Sequence, residues 1–476
     1  MTILSLFACI PISIKVLKGN KEPSNALTLT IAIVGIILSG VAAVLVGPSL
    51  GAVYGGALIF DGMASYSNLA VLGITIFSLL LSESGVNTKG TSFAEHTFLI
   101  LLSAVGMLTL TSSNDLIVSF IGLEIMSIAL YVLIGLGHEQ LYSKEAAFKY
   151  FILGSFASAI FLFGIALIFG ATGSTTISSL ALQGPLLESR NILLLLGLML
   201  LLVGIGFKVS LFPFHTWTPD VYQGAPTSVS AFMATGVKVV MFTVFLRLAM
   251  THLFISAPKI ISTLQIIAVL TMTVGNVTAI VQENIKRLLA YSSIAHAGYI
   301  LVGIIAACTS KSPEAASATL FYVVGYSVMN IGAFAIVNVF EKEERGNLSI
   351  MDYCGLGYKY PLMGIGLAAF MFSLAGIPPT VGFMGKFYIF AAAIKEGYLG
   401  LAIIGVVNSL ISAYYYLRIL VALYMKEPVF EVTPSAGKSS SFVVAATLIL
   451  TLAMGILSAL FYAPALKGVT QLLALH

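Results

Sequence analysis

Read along its length, the chain alternates apolar runs of about twenty residues with short clusters of Gly, Pro, Asn, Asp, Lys and Glu. The runs are apolar on all sides. They show neither the one-sided stripe of a surface helix nor the period-two alternation of a barrel strand. A helix needs about 20 apolar residues to cross a bilayer, and in lipid its backbone satisfies its own polar groups. The pattern predicts about fourteen spans: near 1–16, 27–47, 64–82, 94–111, 115–136, 145–170, 190–210, 225–250, 260–281, 289–308, 314–340, 361–397, 400–425 and 440–464. The first is short, and the twelfth is too long for one simple helix. The expected fold class is therefore an all-α polytopic membrane protein.

Composition agrees. Of 476 residues, 59% are hydrophobic and only 9% charged, against about 25% charged in soluble domains. The net charge of +4 is dispersed, so no basic stripe points to nucleic acid. Cys9, Cys308 and Cys354 are isolated, and without a CxxC pair neither an iron–sulfur nor a structural zinc site is expected. The opening MTILSLFACIPISIKVLKGNK has no basic segment before its apolar run and no A-x-A cleavage site, so it reads as a retained first span.

Lys and Arg in the connections set orientation. With the N-terminus outside, the inside connections carry Lys15, Lys18, Lys21, Lys89, Lys144, Lys286, Arg287, Lys342, Arg345, Lys359, Lys426 and Lys438. The outside ones carry Arg190, Lys259, Lys311, Lys395 and Lys467. Both termini are therefore expected outside, with the charged EKEERGNLS segment (341–349) on the inside surface.

Two stretches break the helical pattern. GIGFKVSLFPFHTWTPDVYQGAP (204–226) contains Pro213, Pro219 and Pro226, which remove helix hydrogen bonds. SLAGIPPTVGFMGKFYIF (373–390) contains Gly376, Pro378, Pro379 and Gly382. Irregular backbone at membrane depth persists only inside protein or along a polar cavity. Paired breaks in two halves point to inverted repeats. Their places in the seventh and twelfth spans divide the chain into 1–90 (spans 1–3), 91–252 (a five-helix repeat, spans 4–8), 253–425 (a second five-helix repeat, spans 9–13) and 426–476 (span 14).

Four ionisable groups sit deep in these runs: Glu124, Lys208, Lys238 and Lys386. Each costs at least ~2.5–3.5 kcal/mol at the bilayer centre, so together they point to a path for protons or ions rather than to packing. Lys208 precedes the first break and Lys386 follows the second. Glu124 is the expected partner of Lys208: a nearby carboxylate favours the charged lysine, and its withdrawal favours release of the proton. Lys238 is midway along the eighth span, too deep to snorkel, and reads as a central proton carrier. His296, early in the tenth span beside Tyr291, Ser292 and Ser293, suits a relay or a packed position equally. His215 and Asp220 read first as loop-ordering groups near the inside surface and second as aids to proton entry. Lys149 reads as an interface anchor, and so does the Lys286–Arg287 pair.

The strings SNDLIVSFIGLEIMSIALYVLIGL, EAAFKYFILGSFASAIFLFGIALIFGATG, FKVSLFPFHTWTPDVYQGAPTSVSAFM, NIKRLLAYSSIAHAGYILVG and LAGIPPTVGFMGKFYIF resemble the antiporter-like membrane subunits of bacterial NADH:quinone oxidoreductase, respiratory complex I. The GLE-x-MS and HTWTPDVYQGAPT strings look most like its subunit N branch and the photosynthetic counterpart of that branch. The resemblance covers about residues 90–425. It implies fourteen helices with two inverted five-helix repeats and broken helices 7 and 12, without a long lateral helix. It implies proton-transfer roles for Glu124, Lys208, Lys238, His296 and Lys386, with Lys386 at the exit. It implies no cofactor in this chain, flavin, iron–sulfur clusters and quinone belonging to other subunits. The implied partners are lipids and other membrane subunits, both antiporter-like and small. The implied location is the bacterial inner membrane, with both termini on the periplasmic side. An Mrp-type Na⁺/H⁺ antiporter subunit is the main rival, and a non-transporting scaffold the second.

Overall fold

The computed structural model describes all residues except 18, 20, 47–50, 84–91, 137–140, 181–190, 252–257, 342–348, 429–436 and 475–476. Lys18, Lys89, Arg190, Lys342, Arg345 and most of the 341–349 segment thus lie outside the described residues.

The first three helices are α1 (Thr2–Leu17), α2 (Asn25–Leu45) and α3 (Gly62–Ser82), with a small antiparallel ribbon, β1 (Ala52–Val53) and β2 (Leu58–Ile59), before α3. Next come α4 (Phe93–Ser112), α5 (Leu116–Gly135), α6 (Leu141–Thr172), α7 (Ile192–Lys208) and α8 (Thr227–Ala249). They are followed by α9 (Pro258–Ile280), α10 (Ile285–Ser310), α11 (Pro313–Phe340), α12 (Pro361–Ala375), α13 (Val381–Lys395), α14 (Leu399–Met425), α15 (Lys438–Ile456) and α16 (Ser458–Ala474). Among the described residues eleven helices are long and apolar enough to span a bilayer, and α1, α7 and α12 are shorter apolar helices. With α12 and α13 counted as one broken span, that makes the expected fourteen.

Helix starts follow from the connections. Asp61, Ser92, Asp115, Asn191, Asn284 and Ser312 each accept hydrogen bonds from first-turn N–H groups, satisfying donors that would otherwise be orphaned at membrane depth. Two span boundaries shift. The long twelfth run divides into α12 and α13 because Gly376 takes φ +92° and caps α12. The fourteenth span, expected to reach residue 464, ends at Ile456. After the turn at Leu457 the chain continues as α16, whose Gly468 packs against Gly62 at the start of α3.

Both breaks lie where the sequence places them. After Lys208 the chain passes through Ser210 (φ +64°) and a cis Phe212–Pro213 bond before a short helix, Thr218–Gly224. Its irregular backbone is held from the side: Trp217 Nε1 donates to Phe207 O at 3.1 Å, and Thr271 Oγ1 accepts from Phe212 N at 3.0 Å. In the second break a Cβ on Gly382 would collide with the Ser373 carbonyl, so the two half-helices approach as only glycine allows. α8, α10 and α11 are almost wholly enclosed by the other helices. The centre of the protein is built from them; Lys238 and His296 lie on them, and Lys386 lies over Tyr299 of α10.

Candidate functional site: a buried lysine–histidine axis

α5 carries Glu124, Ser127 and Tyr131 at spacings of three and four, hence along one side. α7 ends against them. Lys208 is buried, and its Nζ donates to Ser127 Oγ at 2.8 Å and Tyr131 Oη at 3.4 Å. The ammonium lies 5.5 Å and 5.3 Å from the ring centroids of Tyr131 and Tyr150. The expected direct Glu124–Lys208 ion pair is not formed. The hydroxyls one and two turns along α5 take the ammonium instead, and Glu124 acts on it only through space. Glu124 is itself half-buried, with Oε1 enclosed and, among the described residues, unpartnered.

Lys238 is buried and comes directly after a π-helical turn in α8, Met233–Val237. Such turns are rare and recur at functional sites. Its Nζ donates to the Ser293 carbonyl and to Ser293 Oγ at 2.5 Å, and lies 5.2 Å from the Tyr326 ring centroid. Tyr326 donates to the same Ser293 Oγ at 2.8 Å and accepts from Asn330 Nδ2 at 2.8 Å. Tyr222 packs edge-on against Phe334, two turns beyond Tyr326 on α11, with ring centroids 6.3 Å apart. Trp217 lies between Tyr222 and Tyr150, with ring centroids 6.3 Å and 4.6 Å away. An aromatic wall thus runs from the surroundings of Lys208 to those of Lys238.

His296 follows one turn later on α10. Nδ1 is 2.7 Å from Tyr322 Oη, Nε2 is 3.2 Å from Tyr416 Oη, and Tyr416 Oη is 2.5 Å from Ser292 Oγ. Lys238 and Lys386 both act on the ring through space. Lys386, on α13, reaches back to the end of α12: its Nζ donates to Leu374 O at 3.0 Å, Ala375 O at 2.9 Å and Ser409 Oγ at 2.8 Å, with the Tyr299 ring centroid 4.9 Å away. Unpaired carbonyls at a helix C-terminus favour a cation. The second break therefore creates a seat for the lysine's charge that an unbroken helix would lack.

The remaining predicted groups gather elsewhere. Asp220 pairs with Arg287 at 2.7 Å and Lys149 at 3.0 Å, and Lys149 pairs with Glu145 at 2.7 Å. Burial pushes the Asp220 carboxyl up, but the hydrogen bonds from Arg287 and Lys149 outweigh it and hold the group below the usual carboxylate range. Lys149, Asp220 and Arg287 line a pocket of about 170 Å³. Lys286, one residue before Arg287, is buried and bonds Ala225 O at 2.8 Å and Glu341 at 3.1 Å. His215 stacks on Phe212 at 5.6 Å inside the first break. Among the described residues its Nδ1 is buried without a hydrogen-bond partner.

Residues 113–412 match the family described as NADH:quinone oxidoreductase/Mrp antiporter, transmembrane. NADH-quinone oxidoreductase subunit N of Bdellovibrio bacteriovorus is 47% identical over 95% of this chain and 93% of its own length. The Chloroflexus aggregans subunit N is 41% identical over 92% and 89%. The chain belongs to the NADH-quinone oxidoreductase subunit N family. A chain of respiratory complex I from Thermus thermophilus superposes with TM-score 0.83 at 33% identity, covering 98% of this chain and 99% of that one. A chain of the Mrp complex from Dietzia sp. superposes with TM-score 0.85 at 21% identity over 98% and 97%. At that identity the likeness to the rival is one of fold alone.

In this subunit N-type chain, sequence reasoning missed the groups that hold the axis together. Ser127, Tyr131, Tyr322, Tyr326, Tyr416 and Ser409 look like ordinary residues of apolar spans. Hydroxyls one or two turns apart on α5, α11 and α14, helices that carry none of the three lysines, were their only signal.

Proposed function

We propose that this chain translocates protons as the subunit N-type membrane subunit of a respiratory complex I, coupling quinone reduction elsewhere in the complex to pumping. The observation that carries the reading is the axis itself: three lysines and a histidine, all buried, each held by neutral hydroxyls and carbonyls rather than by carboxylates. A lysine kept only for packing would be expected to pair with an acid. One held by neutral groups can give up its proton without leaving an unpaired carboxylate behind.

In this mechanism protons enter from the cytoplasmic face and load Lys208 and Lys238. When Glu124 stands off from Lys208, as it does here, the lysine's charge is less supported and its proton is released. It passes along the hydroxyls of Ser293, Tyr326 and Ser292, His296, Tyr322 and Tyr416, to Lys386 and out. The two five-helix repeats, 91–252 and 253–425, supply one broken helix each. Both termini lie on the periplasmic side of the bacterial inner membrane. The Asp220–Lys149–Arg287 cluster then faces the cytoplasm. Flavin, clusters and quinone sit in other subunits, and this chain takes no cofactor. A half-buried carboxylate at the depth of Glu124 is too costly to face lipid, so its open side meets a neighbouring membrane subunit.

Affinity purification of the tagged chain from its own membranes tests this. Quinone reductase activity, flavin and iron–sulfur absorbance are expected to travel with it. Recovery with antiporter chains alone, and no redox activity, would overturn the reading.

A further inference from the structure

Away from the lysine axis, α3, α4 and α8 enclose a second line of polar side chains. It begins at a fully buried ion pair: Arg247 Nη1, near the end of α8, donates to Asp61 Oδ2, the N-cap of α3, at 2.6 Å. Arg247 Nη2 also donates to Thr111 O at 3.3 Å, so the pair ties three helices together. On one side of the pair is a cavity of about 800 Å³, lined by Asp61, Ser65, Asn114, Thr176, Lys467 and Gln471 among others. On the other side the polar line continues into the protein. Ser67 bonds Thr243 at 2.8 Å, and Asn68 bonds Ser112 at 3.2 Å and Thr111. α3 and α8 run antiparallel here. Eight residues further in along each, the Ser67–Thr243 register brings Thr75 and Thr235 to one level. Thr235 lies in the π turn that directly precedes Lys238. One apolar turn, with Val71 and Val239, separates the two levels.

Two observations go beyond a structural clamp. Among the described residues Arg247 Nε and Asn114 Oδ1 are buried and unpartnered, and so is Ser78 Oγ one turn beyond Thr75. Buried polar atoms without protein partners are where ordered water binds. A buried ion pair is also a poor stabiliser, since apolar residues of similar volume serve stability as well or better.

We propose that α3, α4 and α8 form a polar outlet from the level of Lys238 to the face bearing the start of α3, with Asp61–Arg247 as its gate. The inference rests on the proton-translocation reading, and under the proposed orientation that face is periplasmic. A hydronium arriving from the inner side transfers its proton to Asp61, leaving water behind. The neutral acid loses its hold on Arg247, turns to the cavity and releases the same proton there. The carboxylate then re-forms the pair. The first half of the chain would thus have its own exit, independent of Lys386.

Thiol accessibility tests this in sealed membranes carrying the assembled complex. Ser67→Cys and Thr243→Cys are made separately; the first is nearly isosteric, and the second removes one methyl group. Leu69→Cys, on the exposed side of α3 (44% exposed), is the lipid-facing control. The parent chain, with its exposed Cys9, sets the background. The thiolate, which forms only where water reaches, attacks a charged, membrane-impermeant thiol reagent. We expect the thiols of the Ser67→Cys and Thr243→Cys variants to be modified about tenfold or more faster than that of the Leu69→Cys control. Modification is expected to be faster still during quinone turnover, and the modified protein to lose proton yield. Modification no faster than in the control, or unchanged proton yield after it, would overturn the outlet. Water access is read here without reference to the lysines. Failure of the outlet and failure of the lysine axis therefore give different results.

Discussion

The three lysines of the axis are seated on neutral oxygens. Lys208 rests on Ser127 and Tyr131, Lys238 on Ser293, and Lys386 on the end carbonyls of α12. A group meant to change protonation state has to be able to become neutral, and arginine cannot. Lys208→Arg keeps the charge and much of the packing. It is expected to reduce proton pumping by about 10²-fold or more while the complex still assembles, and pumping at the parental rate would count against Lys208 as a carrier. His296 offers a finer test. Tyr322→Phe keeps the ring and removes only the hydroxyl on Nδ1. The loss of one hydrogen bond, about 0.5–1.5 kcal/mol, corresponds to roughly a two- to tenfold slower pumping rate. A change confined to stability would show Tyr322 to be packing alone. The charged members of the axis were legible in the sequence because they stand out against apolar surroundings. Their hydroxyl partners were not, since nothing local separates Tyr326 or Tyr416 from any other tyrosine in a span. The partner expected for Lys208 was misplaced for the same reason. Spacing along α5 puts Glu124, Ser127 and Tyr131 on one side without saying which of them the lysine reaches.

At the scale of elements, the two breaks do different work with the same means. The first carries Lys208 at the end of α7 and turns the chain toward the inner cluster. The second opens the end of α12 so that Lys386 can reach its carbonyls. Gly382 makes that approach possible, and Gly382→Ala is expected to destabilise the protein by about 1–3 kcal/mol, seen as a lower Tm of the purified complex. A Tm equal to the parent's would mean that the half-helices separate more readily than their packing indicates. The cluster at Asp220 makes a pH prediction with a definite sign. Its carboxyl is held below the usual range, so its contribution is complete above an ordinary carboxylate's pKa of ~3.9 and fades as pH falls below that. Asp220→Asn is therefore expected to lower thermal stability near neutral pH and to make no difference in strong acid, a comparison that melting curves at several pH values decide. Proline and glycine placed both breaks in the sequence, because each residue acts on its own backbone. Neither Leu457 nor its neighbours Ile456 and Ser458 is such a residue, so the apolar pattern runs on past the end of α15. The π turn before Lys238 likewise leaves no mark on the hydrophobic pattern.

For the whole molecule, fourteen spans were countable because the bilayer sets a length that composition reveals. Their arrangement around α8, α10 and α11 was not, since hydropathy does not distinguish a helix facing lipid from one facing protein. That arrangement matters most for function: it brings Lys238, His296 and Lys386, from three helices, to one buried line. The central claim is that this line carries protons coupled to quinone reduction. The most direct measurement is proton pumping together with quinone reductase activity in inside-out vesicles, for Lys238→Ala and Lys386→Ala made separately. Both variants should fall well below the parent in pumping while the complex remains assembled. Normal activity with unchanged proton yield in both would contradict the claim and leave the buried lysines as structural.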